Sequence, residues 1–309
     1  MLSKKRIILG IISTILLVSA CVAMVFPSAN KLAAQTNNEK EIYEYANTIN
    51  QMTQEEKNAK ILESQRYNQE INNGKRYKTD QELSSGYYRI WGRENGMLGY
   101  VEVPKINVDL PIHLGIDEET LYQYAGHMPN TSFPVPGKTT HCVISAHTAY
   151  PGRKFFDDLP EMEIGDEFYI IILDQKYTYK VIRKTTVDPD DMSPLAFENG
   201  KELVSLVTCF PYAINTHRLV VTGEKIGKET IDINTSKNSS VELLDKKVNY
   251  FTEYLPLSLS IIISLILILI CIISMIVSQY KLNNKLSQEK KEKEQAKKQS
   301  QVDTKKQIS

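Results

Sequence analysis

Two long stretches of the chain carry no charge. Ile7 to Phe26 (IILGIISTILLVSACVAMVF) and Leu257 to Val277 (LSLSIIISLILILICIISMIV) each hold about 20 such residues, enough for a helix to cross a bilayer. Between them the pattern changes twice. Asn30 to Gly74 is polar, and Ile42, Tyr45, Ile49 and Met52 recur at helical intervals. Thr53-Gln54-Glu55-Glu56 fits a capping box, in which hydroxyl and carboxylate satisfy reciprocal backbone amides. It predicts a second helix running to about Ile71 and stopping at Asn72-Asn73-Gly74. Residues 27–96 thus read as a membrane-proximal helical stalk, with an irregular end that gathers Tyr87, Tyr88 and Trp91.

From Met97 the texture is different. Short runs rich in β-branched residues (LGYVEVP, VDLPIHLG, HCVISAH, EFYIIIL, KYTYKVIRKTTV, LVSLVTC, HRLVVTG) alternate with Pro, Gly, Asn and Asp. That spacing predicts an all-β barrel or sandwich over residues 97–230. LDQKY, residues 173–177, reads as a hairpin turn, and residues 117–126 as one or two helical turns. Residues 231–256 read as a linker before the 257–277 span, and 278–309 as a Lys-rich tail.

Charge sets the orientation. The whole chain is balanced at 37 Lys+Arg against 37 Asp+Glu, so it has no nucleic-acid footprint. Its cations are unevenly placed. Lys4, Lys5 and Arg6 precede the first span, within the short segment 1–6, and Tyr280 to Ser309 holds nine Lys against three Glu and one Asp. By the positive-inside rule both termini are cytoplasmic and the domain between the spans is extracellular, in a two-pass protein of the cell membrane. The first span has two further readings. One is a signal peptide cut near Ala33-Ala34; the other is a lipoprotein signal at Val18-Ser19-Ala20-Cys21, against which the apolar residues after Cys21 argue.

Of four cysteines, Cys21 and Cys271 lie in the spans, which leaves Cys142 and Cys209 outside. Two thiols 67 positions apart make neither a disulfide framework nor a zinc motif. Cys209 closes one apolar run and Arg218 lies inside the next. As adjacent antiparallel strands these would bring thiol and guanidinium to one end of a sheet, where the cation favours the thiolate or holds an oxyanion. His147 ends the run HCVISAH and is the candidate proton carrier. Cys142 alternates to the other face from His147 and reads as a small buried hydrophobe. His217 faces away from Arg218, and His113 and His127 lie in loop-like stretches.

The order His147, then Ser205-Leu206-Val207-Thr208-Cys209, then Asn215-Thr216-His217-Arg218-Leu219 resembles the sortases of Gram-positive bacteria, closest to the pilus-assembling class C branch. Residues 97–115 and 126–141 are similar to class C strands as well. The resemblance covers about Met97 to Ile226. It implies a mainly β protein with an eight-stranded sortase-type barrel, to which the hydropathy pattern adds N-terminal helices and two flanking transmembrane helices, the C-terminal one fitting class C too. It implies a transpeptidase that cuts an LPXTG-like sorting signal after its Thr. Cys209 would then be the nucleophile, His147 the general acid/base and Arg218 the oxyanion or substrate stabiliser. Thr208 and Ser145 are the expected substrate contacts. No cofactor is expected. The implied partners are surface proteins or pilins with a C-terminal sorting signal, plus an amine acceptor. That acceptor is a pilin lysine in class C and a peptidoglycan cross-bridge in a housekeeping sortase.

This sequence departs from the class C pattern in places. Ser205 replaces the usual Thr, and Ala146-His147-Thr148 the usual Gly-His-Arg. No Asp-Pro-aromatic lid precedes the barrel, so the site is expected to be open, or covered loosely by Tyr87, Tyr88 or Trp91. Two other classes compete. A hydrolytic cysteine protease would release acid rather than amide, and the papain order of Cys, His, Asn differs from His, Cys, Arg here. A non-catalytic membrane-anchored binding domain would form no thioester at Cys209.

Overall fold

The computed structural model describes residues 37–92, 96–231 and most of 265–295, with scattered positions between 12 and 26. Eight strands close a barrel in the order β1-β2-β3-β4-β7-β8-β6-β5. They are β1 (Met97–Val103), β2 (Val108–Leu114), β3 (Ala125–His127), β4 (Thr140–Ser145), β5 (Glu167–Ile172), β6 (Gln175–Val187), β7 (Glu202–Phe210) and β8 (His217–Thr230). The seven runs picked out by β-branched content and turn residues are β1, β2 and β4 to β8, and the three-residue β3 was not among them. Only β2/β3 and β4/β7 pair in parallel. The remaining pairs are antiparallel, including the β5–β6 hairpin in which Ile172 faces Gln175. At the β1/β5 seam a side chain on Gly99 would collide with the Ile171 carbonyl, so the closure there needs glycine. The barrel interior is filled by side chains such as Leu98, Ile112, Ile144, Phe168 and Leu206.

The N-terminal helices are not a stalk. Helix α1 (residues 37–51) and helix α2 (Gln54–Asn72) lie on the barrel. Tyr45 and Ile49, from the stripe legible in the sequence, are buried in the common core with Tyr67 and Ile71. The Tyr45 hydroxyl donates to the Leu98 carbonyl at 3.0 Å and accepts from Leu173 N–H at 2.8 Å. Asn68 pairs with both backbone groups of Phe133, at 2.9 and 2.8 Å. Each fully buried aromatic or aliphatic side chain contributes about 1.5–3 kcal/mol, so a freestanding stalk would forgo a large stabilisation. The capping box at Thr53 and Glu56 forms as expected.

The expected irregular stretch is largely helical. A second capping box, Thr79 with Glu82, starts helix α3, which runs through Asp80–Leu83, a π-type turn Ser84–Tyr88, and Arg89–Trp91. Its buried aromatic is Tyr87, stacked on Phe133 at 5.5 Å and on His127 at 5.7 Å. The Tyr87 hydroxyl meets His127 Nδ1 at 2.8 Å, and Trp91 Nε1 donates to Ser64 at 3.1 Å. These aromatics fasten helix to barrel. A short helix α4 (Glu118–Gln123), capped by Asp117, realises the turn predicted at 117–126.

Among the described residues one helix, α5 (Leu265–Gln295), is long and apolar enough to cross a membrane, by length and composition. It belongs to a compact unit separate from the barrel. The expected first span, residues 7–26, lies largely outside the described residues, so one of the two expected spans is seen here and the two-span arrangement is not.

Candidate active site

Three neighbouring strands, β4, β7 and β8, share a face whose residues fall into rows. Ser205 pairs with Thr222, Val207 with Val220, and Cys209 with Arg218. On β4, Val143 sits opposite Ser205 and Ser145 opposite Val207. The first row is polar and buried: His141 Nε2 meets Ser205 Oγ at 2.8 Å, and Ser205 Oγ meets Thr222 Oγ1 at 2.8 Å. Val143, beside Ser205 on β4, joins Val207 and Val220 of the second row in an apolar cluster apart from the barrel core. Met128, Val187 and Leu195 pack over it. Leu195 comes from the turn Ser193–Leu195 in the β6–β7 connection.

The third row carries the candidate catalytic pair. Cys209 and Arg218 are half-buried register partners. Ser145 and Val207 end the β4/β7 ladder, but two contacts extend it. Ala146 N–H donates to the Val207 carbonyl at 3.1 Å, and the Thr208 hydroxyl donates to the Ala146 carbonyl at 2.7 Å. That zip carries His147 to the strand end beside Cys209. Phe156 N–H then donates to the His147 carbonyl at 3.0 Å and anchors the chain where it leaves the sheet. His147, Cys209 and Arg218 thus come together from three adjacent strand ends.

Arg218 is held by backbone. Its Nη1 donates to the carbonyls of His217 at 3.0 Å and Asn215 at 3.3 Å. Asn215 adopts a positive φ of 62°, a conformation Asn tolerates better than most residues. The imidazole of His147 lies 5.2 Å from the Tyr150 ring and 6.2 Å from that of Phe155. Burial holds its pKa below the ordinary histidine value, against a smaller upward pull from Glu118. The resting imidazole is therefore neutral at pH 7 and able to accept a proton.

The other expected site residues fare differently. Ser145 is half-buried on the Cys209 face. Thr208 is 2% exposed and its hydroxyl is committed to Ala146, so it braces the β4 end and presents nothing to a substrate. Cys142 is buried and unpaired, and burial raises its pKa well above the ordinary thiol value. His113 contacts Glu41 at 2.8 Å, while His127 and His141 are buried in structural networks. Tyr87 and Trp91 are spent on the helix–barrel contact, so neither rebuilds a lid. Sequence reasoning missed Tyr150, Phe155 and Glu118. The two aromatics could have been noticed within eight positions of His147, in a connection otherwise marked by Pro and Gly.

Known proteins share this architecture. The Sortase domain family matches residues 101–226. Sortase C1 of Streptococcus agalactiae is 34% identical, with a TM-score of 0.58 over 61% of this chain and 98% of that one. The chain belongs to the sortase family. A structure of Clostridium perfringens sortase C with the C-terminal cell wall sorting motif is 37% identical, with a TM-score of 0.54, covering 60% of this chain and 97% of that one. Sortase D of Bacillus subtilis is 28% identical over 157 residues, 50% of this chain and 75% of the relative. Sortases are cysteine transpeptidases, and these structural neighbours are class C sortases. The expected eight-stranded barrel with N-terminal helices is the one observed.

Proposed function

We propose that this sortase polymerises pilus subunits. In this reading it cleaves an LPXTG-like sorting signal after Thr and transfers the acyl group to a lysine amine of a second subunit. The carrying observation is the convergence of His147, Cys209 and Arg218 from three adjacent strand ends. Similarity to class C sortases, one of them solved with a sorting motif, supports the substrate class.

The chemistry proceeds by covalent catalysis in two steps. Cys209 gives its thiol proton to neutral His147 as its sulfur attacks the Thr carbonyl carbon. The developing oxyanion is stabilised by the Arg218 guanidinium. Collapse breaks the Thr–Gly bond, and protonated His147 gives its proton to the leaving glycine amine, leaving a thioester on Cys209. A lysine amine then loses a proton to neutral His147 and attacks the thioester carbonyl. The Cys209 thiolate departs and an isopeptide bond remains. One amide replaces another, so no nucleotide is consumed. The apolar cluster of Val143, Val207 and Val220, next to the Cys209 row, suits the aliphatic residue of a sorting signal once Leu195 moves aside. Residues 257–277 anchor the enzyme, with the Lys-rich tail inside the cell and the barrel outside.

The test is reconstitution. The full chain in detergent is incubated with surface proteins that carry sorting signals. A ladder resistant to denaturing gels, absent with Cys209→Ala, is the expected result. Release of free acid alone, with added amines unincorporated, would mean hydrolysis and sink the proposal.

A further inference from the structure

We propose that Tyr150 positions His147: its ring, braced by Tyr122, fixes the imidazole plane and keeps water from one side of it. The inference rests on the reading of His147 as the acid–base group. It adds a residue to which neither the resemblance nor the comparisons assign a role.

The loop after β4 is built to hold these two side chains in a fixed relation. The Asp157 carboxylate accepts from Ala149 N–H at 2.9 Å and from Phe155 N–H at 2.8 Å. Phe156 N–H closes back on the His147 carbonyl at 3.0 Å. Ala149 is held at φ 57°, where a side chain with a Cβ is disfavoured, and this directs the next residue, Tyr150, back over His147. The two rings are 5.2 Å apart and 27° from parallel. Phe155 meets both edge-on, at 6.2 Å from His147 and 6.1 Å from Tyr150.

The far side of Tyr150 is braced by another element. Tyr122 of α4 packs perpendicular to it at 5.6 Å, Arg153 lies over the Tyr122 ring at 5.0 Å, and Arg153 Nη1 reaches the Gln123 carbonyl at 3.5 Å. The chain of contacts therefore runs from α4 through Tyr150 to the imidazole. A general acid/base must meet its proton partners in one orientation, and a small misplacement costs rate steeply. His147 has no hydrogen-bonded carboxylate to orient it among the described residues. Ring packing takes that part. The lowered pKa of His147, caused first by burial, agrees with a ring screened on one side. The charged or titratable groups around it are Glu118 from α4, Arg153 and Tyr150 from its own loop, Cys209 from β7 and Arg218 from β8.

The full chain in detergent is compared with Tyr150→Leu, Tyr150→Phe and Tyr122→Ala. Two quantities are measured: kcat and KM for a sorting-signal peptide, and the pH dependence of His147 modification by diethyl pyrocarbonate, mapped by mass spectrometry. Tyr150→Leu is expected to lower kcat roughly 10-fold or more, to leave KM within about two-fold, and to raise the His147 titration toward the ordinary histidine value. Tyr150→Phe keeps the ring and should restore both. Tyr122→Ala, at an exposed site, should shift both in the direction of Leu by less, and it decides the matter if the Leu variant fails to fold. Wild-type kcat and titration in Tyr150→Leu, or in Tyr122→Ala if it must stand in, would overturn the proposal. So would a Phe variant as impaired as Leu. Undiminished transfer by His147→Ala would instead overturn the acid–base reading, which the titration does not depend on.

Discussion

Cys209 and Arg218 face each other directly across β7 and β8, as register partners at the end where both strands leave the barrel. Cys142, the other external thiol, points into the core. Cys209→Ala is therefore expected to abolish transfer with an unchanged unfolding midpoint. Cys142→Ala should keep transfer and lose on the order of 1 kcal/mol of stability. Covalent polymer formed by the Cys209 variant would reverse the assignment.

Arg218→Lys keeps the charge but not the planar fork of donors. The native guanidinium uses Nη1 on the Asn215 and His217 carbonyls, which leaves its other nitrogens to receive an oxyanion. A single ammonium cannot do both. Turnover should fall roughly 10²-fold, the scale of a lost oxyanion donor, with the circular-dichroism spectrum unaltered. Near-native kcat in the Lys variant would make Arg218 a strand residue only.

Because Tyr87 and Trp91 are buried away from the site, Cys209 should react promptly with a small thiol reagent without substrate. Tyr87→Phe removes the hydroxyl that bonds the His127 ring and accepts from Gly115 N–H. Its expected cost is about 1–3 kcal/mol of stability, with the labelling rate of Cys209 under native conditions unchanged. A large acceleration of labelling in that variant would show that helix α3 gates the thiol after all. Deleting α3 outright is a poor probe of gating, since it would strip Tyr87, Ile90 and Trp91 from the core.

Acid should loosen the helix–barrel contact through His127. Burial lowers its pKa from 6.5 to about 4. The unfolded chain binds a proton at this residue near pH 6.5, which the folded protein resists until about pH 4. The stability linked to His127 is thus complete above pH 6.5 and falls as pH drops toward 4, by about 2 kcal/mol at pH 5. Thermal melts of His127→Gln should show a smaller loss between pH 7 and pH 5 than the native chain. Equal losses would mean that other groups dominate.

The positive-inside reading predicts that a tag after Ser309 is protected from protease added to intact protoplasts. A tag near residue 235 should be cut. The opposite pattern would place the Lys-rich tail outside.

Seven of the eight strands were legible because each run had β-branched content and was bounded by turn residues; β3, three residues long, left no such run. The capping box at Thr53 was legible because it is a local bargain between two side chains and two amides. The placement of the candidate trio could be read from its setting, two groups at strand ends and Arg218 in the facing strand. Thr208 was misread: adjacency to Cys209 in sequence puts it on the other face of the strand, where its hydroxyl serves Ala146. The helices were misread as a stalk because a polar surface with one apolar stripe looks the same whether the stripe faces a partner chain or its own barrel.

Alternation, turn chemistry and the order of His, Cys and Arg are properties of neighbours along the chain, and the sequence by itself determined them: the β class, the strand ends and the choice of candidate reactive groups. Which strands lie side by side is a long-range choice. Only the closed barrel placed β4 parallel to β7, brought His147 from 62 positions away to the end beside Cys209, and laid Tyr150 over the imidazole. It also decided that Tyr45 and Tyr87 would be buried against the barrel, because apolar area finds its cover in three dimensions and leaves no mark of the partner in a local pattern.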